Sequence, residues 1–295
     1  MAPRQDIYLE HFGLRQRPFA LLPDPDFLYW SEAHRSAHAM MDYGLLTHAP
    51  ITLITGEIGV GKTTLLQHFL SGLEENVTVG LIANAPPGTR EILPWVLTAL
   101  GEDAPEGLSD VALFHRFLAL LHTEHSAGRA VLVVIDEAQN LDRAALEQLR
   151  MLTNINSGHE EMLQLLLVGQ PELRDIVQRS DMVQFAQRVA ATFHIPAMAP
   201  GTVMGYIVHR IRVGGGNPEI FTRQAAELVQ EATGGVPRLV NQLCDLALTY
   251  AFSAGMTRVR RATIQQVLDD GVFFAGGARR QLHPDAPPLR HGATG

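Results

Sequence analysis

The stretch ITLITGEIGVGKTTLL, residues 51–66, restricts the chain to few folds. An apolar run that reads as a strand meets a glycine-rich loop and then a helical pattern, and Gly56, Gly61, Lys62 and Thr63 fit G-x-x-x-x-G-K-S/T. The glycines let the main chain curl so that successive N–H groups face inward around phosphate oxygens. The following helix adds its N-terminal donors and the positive end of its dipole. Residues Gly56, Glu57, Ile58, Gly59, Val60, Gly61, Lys62, Thr63 and Thr64 therefore form a candidate nucleotide cradle, with Lys62 on the β and γ phosphates and the Thr63 hydroxyl on Mg2+. A purely structural strand-to-helix turn is the other reading. Against it stands one fact of composition: of 23 basic side chains, Lys62 alone is lysine. A compact ammonium on a flexible stem reaches phosphate oxygens in a way that a guanidinium fork does not.

Periodicity extends this start into an α/β pattern. Strands are expected at 51–55, 77–83, 131–136, 163–169 and 192–195, with helices at 62–73, 90–100, 109–125 and 142–156 and a short one from Pro171. Nearly uninterrupted apolar strands alternating with helices imply a parallel sheet covered on both faces, a three-layer αβα core. After Pro196 the segments 202–213, 222–233, 236–254 and 262–270 are helical with no strand among them, which predicts a small all-helical lid. Residues from about Gly271, with GG, PDAPP and HGATG, read as a flexible tail.

The run VLVVIDEAQNL supplies a second chemical element. Its apolar residues carry Asp136 and Glu137 to the carboxyl edge of the sheet, where ligands of α/β proteins bind. Adjacent strand residues point in different directions, so Asp136 can hold Mg2+ while Glu137 orients and deprotonates a water. An ordinary strand end with acidic loop residues is the plainer alternative. ATP is favoured over GTP, because the usual guanine-reading motif needs a lysine and the single one is already in the phosphate loop.

Charge narrows the partners. Residues 1–200 hold 13 basic and 24 acidic side chains, against 10 and 7 in 201–295, and the formal net charge is −8. Most of the surface repels nucleic acid, and a local basic patch is confined to the last third. The opening residues contain no apolar leader core and no run is long enough to cross a bilayer, which leads to the expectation of a cytoplasmic protein. Cys244 stands alone, so it reads as a small core residue in a reducing compartment. The pairs His34 and His38, and His122 and His125, have helical spacing but no third ligand, and RVRR at 258–261 reads as a solvated turn.

Taken together, the segment YLEHFGLRQRPFALLPDPDFLYWSEAHRSAHAMMDYGL and the motifs TGEIGVGKTTLL, VVIDEAQNL, LLLVGQPELR, FAQRVAATFHI and GGVPRLVNQLCDLAL resemble the AAA+ ATPases of the general secretion pathway A type, over residues 8–272. That family occurs beside secretion, pilus and exopolysaccharide or exosortase genes and is related to transposition-regulator ATPases. The resemblance implies an N-terminal segment (1–47) packing on the nucleotide pocket, an AAA+ core (48–200), a helical lid (201–272) and a tail (273–295). It further implies that Gln170 senses the γ phosphate, Arg188 is an arginine finger reaching a neighbouring subunit's ATP, and Arg238 is a lid arginine contacting the γ phosphate. Where relatives often carry a second basic residue after the finger, this chain has Thr192. The implied activity is Mg2+-dependent ATP hydrolysis in a homo-oligomer, ring or filament, that drives or regulates assembly of a cell-envelope secretion or polysaccharide export system through a membrane-associated partner. The alternative is a DNA-binding regulator like the transposition ATPases.

Overall fold

A computed structural model describes residues 7–83, 85–103, 105, 107–157 and 160–274. The expected tail lies almost wholly outside the described residues. Among the described residues seven strands occur in chain order: β1 (Ile51–Gly56), β2 (Val77–Ile82), β3 (Ala130–Ile135), β4 (Asn156–Ser157), β5 (Glu160–Glu161), β6 (Leu163–Gly169) and β7 (Val189–Ile195). Five of them form a parallel sheet in the order β2-β3-β6-β1-β7, while β4 and β5 pair as a separate short antiparallel ladder.

Burial explains the order. Every residue of β1 and of β6 is buried, as strands covered on both faces require, whereas β2 and β7 at the edges alternate or expose part of their length. The core on this sheet is built from side chains such as Ile51, Val133, Leu165, Phe117 and Phe185, each at most 1% exposed. A buried Leu or Phe of this kind contributes roughly 1.5–3 kcal/mol. The helix Glu32–Leu46 is capped by Ser31, whose hydroxyl accepts the His34 N–H at 3.2 Å.

Contacts divide the chain into two compact units. One holds residues 30–58 and 62–196, with the whole sheet. The other holds the described residues up to Tyr29, Gly59–Gly61, and the segment from Ala197. In this second unit the helices Thr202–Val213, Arg223–Thr233, Pro237–Ser253 and Arg261–Asp269 bury Ile207, Val229, Leu243, Cys244 and Ile264 completely. Residues near the N-terminus join them. The Arg210 guanidinium is buried, donates to the carbonyls of Pro18 (2.5 Å) and Ala20 (3.3 Å), and stacks over Phe27 at 4.4 Å. The N-terminal segment thus contributes to both units, dividing at Tyr29 and Trp30.

Four expectations need correction. The helix expected from Arg90 begins at Leu93, because Pro94 is suited to a first turn and not to a helix interior. The helix expected to reach Asn156 ends at Leu152, since Asn156–Ser157 turn into the β4–β5 ladder that periodicity did not reveal. β7 starts at Val189, three residues before the expected Thr192, where its pairing with β1 shifts register between Ile51 and Thr52. The helix expected through residue 73 stops at Ser71.

Candidate active site

Three neighbouring strands, β3, β6 and β1, end at the same edge of the sheet. Register places Thr55 beside Gly169 and Ile135 beside Leu167, so the residues that follow each strand emerge together. They are the loop from Gly56, the acids Asp136 and Glu137, and Gln170. Ligands of parallel α/β sheets bind at this edge.

Lys62 is 6% exposed and donates to the carbonyls of Gly56 (2.7 Å) and Glu57 (3.0 Å). Burial pulls its pKa below the ordinary lysine value, partly opposed by the charges of Glu137, Asp136, Glu57 and Glu172. Among the described residues its ammonium bonds only neutral oxygens, with acids nearby, and so is placed to receive an anionic ligand without first breaking a direct ion pair with any of them. Gly59 and Gly61 have φ of 81° and 100°, conformations that favour glycine, and a Cβ on Gly59 would lie 2.6 Å from Arg238 Cβ. The Arg238 N–H donates to the Gly59 carbonyl at 3.1 Å, both residues belonging to the unit that contains the C-terminal helices.

Thr63 heads the helix Lys62–Ser71, and its hydroxyl donates to Asp136 Oδ2 at 2.9 Å. Asp136 is 5% exposed, and its Oδ1 accepts the Glu137 N–H at 2.9 Å. Burial raises its pKa above the ordinary carboxyl value, against the lowering effect of the Thr63 hydroxyl and the Glu137 N–H. A hydroxyl and a carboxylate in contact are hard oxygen donors, the set that Mg2+ prefers. No cluster of three or more His, Cys, Asp or Glu suited to a metal occurs among the described residues.

Glu137 has φ 54° and ψ 39°, a left-handed conformation that costs a non-glycine residue about 1–3 kcal/mol. Local bonds hold it there. Its Oε2 accepts from Gln139 Nε2 at 2.5 Å and from Gln170 Nε2 at 3.1 Å, while Gln139 Oε1 accepts the Gln170 N–H at 3.0 Å. The strand-end pattern singled out Glu137 and the family resemblance pointed to Gln170, whereas neither drew attention to Gln139. Its identity was visible within VVIDEAQNL, but its partner at the end of β6 lies 31 residues on, and no local spacing reports that distance.

Asp136, Glu137, Lys62, Thr63 and Gln170 are thus brought together within one unit. Arg188 belongs to the same unit but bonds elsewhere: its guanidinium donates to Glu161 Oε1 at 3.2 Å and to Asn154 Oδ1. His34 Nδ1 lies 2.7 Å from the Ser31 hydroxyl and His38 Nδ1 lies 2.8 Å from Asp42 Oδ2.

The AAA domain family matches residues 45–177. General secretion pathway protein A of Aeromonas hydrophila is 36% identical over 279 residues, covering 92% of this chain and 51% of that protein. The chain therefore spans about half the length of the curated relative it matches. Two solved structures share the fold: Aeropyrum pernix ORC2 in ADPNP and ADP complexes (18% identity, TM-score 0.63, 87% of this chain and 72% of that one) and Cdc6p from Pyrobaculum aerophilum (14% identity, TM-score 0.65, 90% and 75%). No helix among the described residues is long and apolar enough to cross a membrane.

Proposed function

We propose, from the premise that this chain is an AAA+ P-loop ATPase similar to general secretion pathway protein A, that it binds and hydrolyses ATP with Mg2+ as a switch in a cell-envelope secretion or polysaccharide export system. The observation that carries the reading is the meeting of Lys62, Thr63, Asp136 and Glu137 at the ends of adjacent strands, with Thr63 and Asp136 2.9 Å apart.

In this reading the amides of Gly56–Thr64 and the Lys62 ammonium hold the phosphates. Thr63 and Asp136 hold Mg2+, which when bound neutralises charge on the phosphate oxygens. Glu137 accepts a proton from the attacking water, and the Gln170 amide keeps the carboxylate and water aligned. Arg188 serves a neighbouring copy's site in a ring or filament, and Arg238 meets the γ phosphate, as the resemblance implies. The client is a membrane-associated export partner, through which the chain sits at the inner membrane.

Phosphate release from ATP by the purified chain, with and without Mg2+, tests the reading. Glu137→Gln should lower turnover by roughly 10²–10⁴-fold, the usual contribution of a positioned general base, and still retain ATP. Unchanged turnover in that variant, or no retention of nucleotide by the native chain, rejects it.

A further inference from the structure

The geometry points to Gln139 as a positioning residue that sets the Glu137 carboxylate against the end of β6. This rests on the reading of Glu137 as the residue that activates water. Three bonds define the arrangement: Gln139 Nε2 to Glu137 Oε2 at 2.5 Å, Gln139 Oε1 from the Gln170 N–H at 3.0 Å, and Gln170 Nε2 to the same Glu137 Oε2 at 3.1 Å. Only one orientation of the Gln139 amide satisfies both of its partners, since a carboxylate requires a donor and a main-chain N–H requires an acceptor.

Two amides thus occupy a single oxygen of Glu137, and neither is bonded to Oε1. Gln139 is locked to the turn that places Glu137 at φ 54°, because it lies in the short 3-10 helix Ala138–Asn140 that Glu137 begins. The same turn is tied on its other side, where the Asn140 carbonyl accepts the Gly88 N–H at 2.9 Å. Gly169 is also explained: a Cβ there would lie 2.9 Å from Gln139 Oε1 and 2.8 Å from Leu173 Cδ2, so a side chain would push the amide out of line. A movement at the end of β6 is therefore passed to the carboxylate twice, through the Gln170 main chain by way of Gln139 and through the Gln170 side chain directly. Gln139 makes the β6 end and Glu137 one mechanical unit.

The test measures ATP turnover and nucleotide affinity of the full chain carrying Gln139→Leu, Glu137→Gln, or both. Gln139→Leu is expected to lower kcat about tenfold or more while KM and nucleotide affinity stay within about twofold, because small misplacements of a reacting group cost rate more than binding. Added to Glu137→Gln it should cause no further loss, since it acts through the missing carboxylate. Gln139→Glu keeps the side-chain shape and an acceptor for the Gln170 N–H but sets a second carboxylate against Glu137, so the same loss of kcat is expected even if the leucine variant does not fold. A kcat within about twofold of native in both Gln139 variants overturns the inference, and so does an equal fractional loss with and without Glu137. Intact turnover in Glu137→Gln alone would instead overturn the assignment of the base.

Discussion

The Thr63 hydroxyl reaches Asp136 Oδ2 across 2.9 Å, joining two residues 73 positions apart, one at a helix start and one at a strand end. The carboxylate it meets is almost wholly buried, and burial is the largest influence on its pKa, which is raised from 3.8. Between that value and the raised one the folded chain keeps a proton that the unfolded chain has released, so stability falls as pH rises through the window. Asp136→Asn carries no charge to bury. In chelator, the variant should therefore melt above the native chain at neutral pH, with the difference closing as pH falls toward 3.8. Melting curves across pH check this, and a gap that is constant with pH would show that the buried charge is not its source.

Arg188 is bonded to Glu161 at 3.2 Å and to Asn154 within its own chain, whereas the proposed role has it completing a neighbour's site. The two states exclude each other, so assembly must exchange one partner for another. Arg188→Ala leaves its own nucleotide site intact but deprives the adjacent one, and Glu137→Gln does the opposite. Each variant alone should be nearly inactive, and mixing them should restore measurable turnover that rises with protein concentration. Mixtures no more active than their components would place Arg188 outside the reaction.

The parallel sheet was legible, and the candidate residues at its edge could be picked out, because both rest on local patterns. Continuous apolar runs marked β1, β3 and β6, and motif spacing marked Lys62, Thr63, Asp136 and Glu137, since a loop must close around a phosphate within a few residues. The helices after residue 201 were readable from period alone, the first of them over Thr202–Val213. What stayed hidden depends on pairing across the fold. The β4–β5 ladder has only two residues per strand, too short for an alternating pattern, and the partners of Gln139 and Arg188 come from other elements. The split of the N-terminal segment at Tyr29 and Trp30 was likewise invisible, because contacts and not composition set it.

Gly44 faces β1 from the helix Glu32–Leu46, and a Cβ there would sit 2.0 Å from Thr52 Oγ1. Gly44→Ala gains about 1 kcal/mol of helix propensity. Overpacking a buried contact costs about 1–3 kcal/mol, and at such a distance the upper end applies, so the variant should be net destabilised. Removing the obstacle should reverse the sign: Gly44→Ala combined with Thr52→Ala is expected to be more stable than Gly44→Ala alone. Denaturant midpoints of the four proteins in the cycle measure the coupling, and simple additivity would show that the helix moves away without strain.

Glu124 closes the end of the helix Asp110–Ser126 onto the neighbouring strands. Its carboxylate receives Arg129 Nε and Nη2, each at 2.7 Å, and the Thr78 hydroxyl from β2. The Arg129 hydrogen bonds, followed by that of Thr78, hold its pKa down at about 2, against an ordinary 4.5. Because the folded value is the lower one, the unfolded chain takes up the proton first as acid is added. The contribution is therefore complete above 4.5 and drains away as pH falls toward about 2. Arg129 is partly open to solvent, so screening limits the size of the effect while leaving its direction fixed. Glu124→Gln should accordingly lower the melting temperature near neutral pH, with the native chain losing its advantage over the variant as acid is added. Added salt should narrow the neutral-pH gap. A variant whose deficit persists unchanged in acid would point to lost packing at the helix end as the source.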